Sequence, residues 1–121
     1  MKQLKVSEAT QLQLDWLVAR CEDEPIRISD GVVRFNMSQF TDDYNRYAPS
    51  TDWAQGGPII EREGLAPDAR RDVNNNTIEW ECYNWRGDGN YITGPTCLIA
   101  AMRCYVIGKL GDVVEVPEEF R

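Results

Sequence analysis

The chain has 121 residues, 42% apolar and 27% charged, proportions of an ordinary globular domain. Thirteen Lys and Arg against twenty Asp and Glu leave a net charge of -7, which argues against general affinity for nucleic acid or anionic membranes, because phosphate binding draws on excess basic charge. Histidine is absent, which removes the commonest general base and the usual zinc ligand together.

This length predicts a single domain spanning 1–121. No apolar run reaches the length of a membrane span and no charged-then-apolar leader opens the chain, so a cytoplasmic protein is expected. Cys21, Cys82, Cys97 and Cys104 form no C-x-x-C pattern, and Cys97 and Cys104 would lie roughly 10 Å apart along a helix. All four read as buried or half-buried thiols in a reducing compartment.

Met1–Val6 reads as a short edge strand or a lead-in. Ser7 stands where an N-cap belongs, and from Glu8 to Cys21 the residues Ala9, Leu12, Trp16 and Ala19 recur at helical spacing. Leu14, Leu17 and Val18 widen that stripe, and Pro25 ends it. Ile26–Phe35 alternates around Ser29-Asp30-Gly31, the pattern of a two-stranded hairpin. Asn36–Asn45 is polar and admits one helical turn.

The stretch Tyr47–Gly64 is too rich in Gly, Pro and polar residues for a core segment, yet it carries Tyr47, Trp53, Ile59 and Ile60. It is expected to be a loop held against the scaffold that reads a ligand. Asp72–Asn76 is a hairpin tip, Thr77–Trp85 a strand, and Arg86–Asn90 a turn. The last helix is bounded by Thr93 or Gly94 as cap, Pro95 at its first helical position and Gly111 as its stop. The tail from Asp112 adds a final extended segment through Val113, Val114 and Val116. These elements predict an α+β fold: a small, largely antiparallel sheet with two amphipathic helices packed on one face. Four tryptophans and five tyrosines exceed what so small a core needs, which makes a homo-oligomer a candidate state.

Two runs, STDWAQGGPIIEREG (Ser50–Gly64) and GPTCLIAAMRCYVIGKLGDVVEVPEEF (Gly94–Phe120), resemble the NinX family of small phage proteins, and LDWLVARCE (Leu14–Glu22) does so more loosely. The resemblance implies an accessory protein of a temperate phage or prophage, at work in the cytoplasm of the bacterial host. It carries no catalytic residue with it.

The residues themselves suggest a binding site. Ser50, Thr51 and Asp52 are turn and cap formers that also present hydrogen bonds beside the flat face of Trp53. Gly56 and Gly57 let the backbone come close to a phosphate or to a neighbouring strand, without the P-loop pattern. Thr96 opens a helix whose free N–H groups favour an anion, and Arg46, Arg62 and Arg103 are candidates to add positive charge. Tyr47 completes the set. The leading expectation is a non-catalytic protein without a cofactor, binding a small anionic, nucleotide-like ligand or a host protein. One alternative is metal-assisted hydrolysis with Asp52, Glu61 and Glu63 holding Mg²⁺ or Mn²⁺. Another is an acidic inhibitor of a host nucleic-acid-binding protein, supported by Asp112, Glu115, Glu118 and Glu119.

Overall fold

The computed structural model of the chain describes residues 1–29, 31–36, 46–85, 87 and 89–118. Strand β1 (Lys2–Lys5) leads through a 3-10 turn (Val6–Glu8) into helix α1 (Gln11–Glu22). Because that turn occupies Ser7, the helix is capped by Thr10 instead. The Thr10 hydroxyl accepts from Gln13 N at 3.2 Å, and the Gln13 side chain accepts from Thr10 N at 2.8 Å. Strands β2 (Ile26–Ser29) and β3 (Val32–Phe35) form the expected hairpin. The helical turn expected within Asn36–Asn45 lies outside the described residues, apart from Asn36.

Residues 53–63, expected as loop, are helix α2 (Trp53–Glu63). Asp52 caps it, accepting from Ala54 N at 3.0 Å, and Gly64 ends it in the left-handed region at φ 66°. Pro58 lies inside the helix, where its missing N–H leaves the Ala54 carbonyl without its helical donor. Both residues are exposed, so solvent can supply one.

Strands β4 (Asp68–Arg71), β5 (Thr77–Tyr83) and β6 (Tyr91–Gly94) follow as an antiparallel meander. Helix α3 (Cys97–Leu110) is capped by the Thr96 hydroxyl, which accepts from Ile99 N at 3.1 Å. Thr93 and Gly94 belong to β6 and are not the cap, and Pro95 precedes it. Gly111 stops the helix at a positive φ of 91°. Strand β7 (Val113–Val116) then pairs antiparallel with β1, setting Lys2 opposite Val116 and Lys5 opposite Val113.

The fold is therefore α+β, with its strands divided among three small antiparallel sheets: β1–β7, β2–β3 and β4–β5–β6. Helix α3 lies at the centre and packs on α1, α2, β5 and β6. Eight of its fourteen residues are buried, so it is apolar nearly all round. The main core joins Leu14, Leu17 and Val18 of α1, Met102, Tyr105 and Val106 of α3, and Val33, Val114 and Val116 from the strands. All four cysteines are free thiols, two buried and two half-buried.

One polar cluster ties the three helices together. Arg62 near the end of α2 grips Glu22 at the end of α1 with both Nη atoms, at 2.9 and 2.6 Å, and reaches Glu63 through Nε at 2.8 Å. Tyr105 of α3 donates its hydroxyl to the same Glu22 carboxylate. Burial alone would raise the Glu22 carboxyl, but its bonds to Arg62 and Tyr105 outweigh that and hold it below the ordinary carboxylate value. The cost of breaking this cluster is moderate because Arg62 is half exposed while Glu22 and Glu63 are mostly covered. Arg62→Ala is expected to lower unfolding free energy by about 2 kcal/mol in urea titrations. Arg62→Lys should recover less than half, since an ammonium cannot repeat the paired grip. A loss within experimental error for Arg62→Ala would show that the cluster does not hold the helices.

Candidate functional site

Arg62 and Glu22 stand near the C-terminal ends of their helices. The opposite ends meet around a cavity of about 220 Å³ lined by Gln11, Ser50, Thr51, Trp53, Thr96, Cys97, Leu98 and Ile99. Gln11 is the first residue of α1, Trp53 the first of α2 and Cys97 the first of α3. The three helices thus run in the same sense, with their positive ends gathered at one place.

Several interactions produce that convergence. Tyr47 N donates to Val33 O at 2.8 Å, fastening the segment before α2 to the β2–β3 hairpin. Gln55 then accepts from Ala48 N at 2.7 Å and donates to Arg46 O at 2.9 Å, locking α2 to the segment that precedes it. Gly56 brings α2 against the rest. A Cβ there would lie 2.3 Å from Pro49 O and 2.7 Å from Leu98 Cδ2. The requirement at Gly56 is tight packing of α2 on α3, whereas Gly57 is open beyond its chain neighbours, with Trp53 Cε3 at 3.8 Å from such a Cβ.

The caps consume some of the helix-end donors and leave others. In α3 the Thr96 hydroxyl takes Ile99 N and the Thr96 carbonyl takes Ala100 N, so Cys97 and Leu98 N–H have no intrahelical carbonyl in reach. Trp53 is 57% exposed, leaving its indole available beside these groups. The wall contains no Lys, Arg, Asp or Glu. Any positive potential in the wall therefore comes from backbone dipoles, which suit one negative group better than a polyphosphate.

Behind the wall sits a buried acid. Asp15 of α1 is 3% exposed and accepts from Ser50 N at 2.9 Å. Burial pushes its carboxyl up to about 6 from 3.8, against the opposing pull of Ser50 and Arg46. The folded state therefore favours the protonated form. Asp15 exacts no penalty below about pH 4, and its cost grows to roughly 3 kcal/mol as pH rises through 6. Glu22 acts in the opposite direction, stabilising at neutral pH and losing that contribution as pH falls through its lowered value.

Of the residues singled out in the sequence, Ser50, Thr51, Trp53 and Thr96 line one cavity. Asp52 adjoins it as the α2 cap, and Gly56 and Gly57 lie in the next turn. Tyr47 does not reach the wall: it is buried edge-on against Phe35, with ring centroids 5.1 Å apart. Arg62 is held in the Glu22 cluster, and Arg103 donates to Thr93 O at 2.9 Å on the flank of α3. Neither arginine lines the cavity, and Arg46 does not either. Asp52 and Glu61 fall at opposite ends of α2, roughly 14 Å apart along its axis, so the proposed metal trio does not converge. Among the described residues, no group of three Cys, Asp or Glu could hold a metal ion. Sequence reading missed Gln11, Asp15 and Gln55. The Thr10-x-x-Gln13 capping pattern was the available signal for the first, since it fixes where α1 begins.

Two other clefts lack this character. A crevice by Asn84, Trp85 and Cys104 has room for about one water, near 10 Å³. An open groove of about 260 Å³ by Gln3, Arg20 and Val113 has no helix N-terminus in its wall.

The family model described as "Bacteriophage P22, NinX" matches residues 5–109. The chain belongs to the NinX family. That match takes in α1, α2, all of α3 but its last residue, and the whole cavity wall, and it makes this a phage accessory protein. No curated protein matches the chain. Among the described residues, no helix is long and apolar enough to cross a membrane.

The two glycines of this NinX chain separate packing from conformational freedom. Gly56→Ala is expected to cost about 2 kcal/mol or more through the clash with Pro49 and Leu98. Gly57→Ala should cost at most about 1 kcal/mol, because the site is open apart from the ring of Pro58, which disfavours helical backbone at a preceding residue with a Cβ and offsets the gain from losing glycine's freedom. Chemical denaturation of both variants checks this, and equal effects would contradict the tight approach of α2 to α3.

Proposed function

We propose that this NinX protein binds, without transforming it, a small ligand carrying one aromatic ring and one anionic group. The ring lies on Trp53, and the anion takes the free N–H groups of Cys97 and Leu98 with the Thr96 hydroxyl. The observation that carries this reading is the meeting of three helix N-termini beside an exposed indole in one cavity. Its volume, near 220 Å³, falls below the 300–1,000 Å³ typical of drug-sized ligands. A mononucleotide with part of its sugar outside fits that space better than a dinucleotide does. The uncharged wall points to a phosphate mono- or diester rather than a triphosphate.

Thermal unfolding with adenosine, AMP, cyclic AMP, ADP and ATP tests the proposal. A ligand at a hundred times its Kd stabilises by about 2.7 kcal/mol, which raises Tm by several degrees. The expected order places AMP and cyclic AMP above adenosine and ATP. Trp53→Ala, which removes an exposed side chain, should leave the protein folded and abolish the shift. A flat Tm across the panel, or an undiminished shift in Trp53→Ala, would overturn the reading.

A further inference from the structure

We propose that anion binding in this cavity is coupled to a proton on Asp15, so that the site binds more tightly as the surroundings become more acidic. The inference rests on the cavity being the binding site and concerns how that site is regulated. Ser50 joins the two parts: it forms part of the cavity wall, and its N–H lies 2.9 Å from Asp15 Oδ1. Ser50 is 1% exposed, and its hydroxyl, close to Asp15, makes no hydrogen bond of good geometry. An anion in the cavity would thus share Ser50 with a buried carboxylate.

The charges around Asp15 do little to relieve that opposition. Arg46 attracts the carboxylate from an exposed position. The Tyr47 hydroxyl, from the same segment, is held neutral far above its ordinary value, by burial first and then by Glu22, Glu24 and Asp15. Within the wall, the Cys97 thiol is also raised, by burial and by Cys82, and so stays neutral, adding no charge of either sign. The least costly response to an arriving anion is therefore protonation of Asp15, a carboxyl that burial has already brought within reach of mildly acidic conditions. By linkage, a group that gains a proton when ligand binds makes affinity rise as pH falls.

Calorimetry with cyclic AMP, whose phosphodiester charge is constant between pH 5.5 and 8, isolates the protein's own titration. Wild-type affinity is expected to weaken from pH 5.5 to 8 by on the order of tenfold, with proton uptake visible as a dependence on buffer ionisation heat. Asp15→Asn keeps a carbonyl to accept the Ser50 N–H and removes the charge. It should bind at pH 8 as tightly as wild type does at pH 5.5, with a flat profile. Without ligand, it should melt above wild type at pH 8 and converge with it below about pH 4. If Asp15→Asn does not fold, proton uptake by the wild type decides the question. Measurable binding with a flat wild-type profile and no proton uptake would overturn the coupling and leave the site standing. Absence of binding by either protein at every pH would overturn both.

Discussion

The grip of Arg62 on Glu22, with Tyr105 donating to the same carboxylate, is the constraint from which the rest of the arrangement follows. It fastens the C-terminal part of α2 to the end of α1 and the side of α3, and so fixes the direction in which all three helices run. Co-directional helices are electrostatically unfavourable neighbours, because their dipoles lie side by side with like ends together. The chain offsets this at both ends. Arg20, Arg62 and Lys109 stand in the last turns, where a cation interacts favourably with the negative terminus. At the other end Thr10, Asp52 and Thr96 each take one first-turn N–H.

Only one of those three caps carries a charge. Three positive helix ends are therefore compensated by one exposed carboxylate and two neutral hydroxyls, with no acidic side chain in the wall between them. That imbalance is local, since the protein as a whole carries -7. In the binding proposed for this cavity, a net-acidic protein with a mildly positive floor to its site would discourage polyanions and tolerate a small monoanion. Trp53 adds the element of shape. Its indole is left 57% exposed at the rim, although the core would have gained from covering it.

Where side-chain period is strong, the sequence told the fold plainly. The alternation of Ile26–Phe35, the stripe from Leu12 to Val18 and the bounded apolar run from Leu98 to Leu110 each became the element they suggested. Helix α2 was hidden by Gly56, Gly57 and Pro58, which locally favour a turn. Contact with Pro49 and Leu98 overrides that preference at Gly56, and exposure makes Pro58 tolerable. The signals that survive are Asp52 before the helix and Gly64 after it. The division of the strands into three sheets was not legible, because pairing β1 with β7 joins residues more than a hundred positions apart. Similarly, Trp53 and Thr96 could be singled out one by one, whereas the Arg62 cluster that removes an arginine from the site depends on Glu22, forty residues away.

Whether the gathered helix ends hold a ligand decides between a binding protein and a purely structural arrangement. An NMR titration of the labelled protein with cyclic AMP at pH 6 answers this most directly, because amide shifts report position as well as binding. The largest changes are expected at the Trp53 indole N–H and at the amides of Gln11, Cys97 and Leu98, which border the cavity. Changes centred instead on the β1–β7 ribbon, or none at millimolar ligand, would contradict binding there.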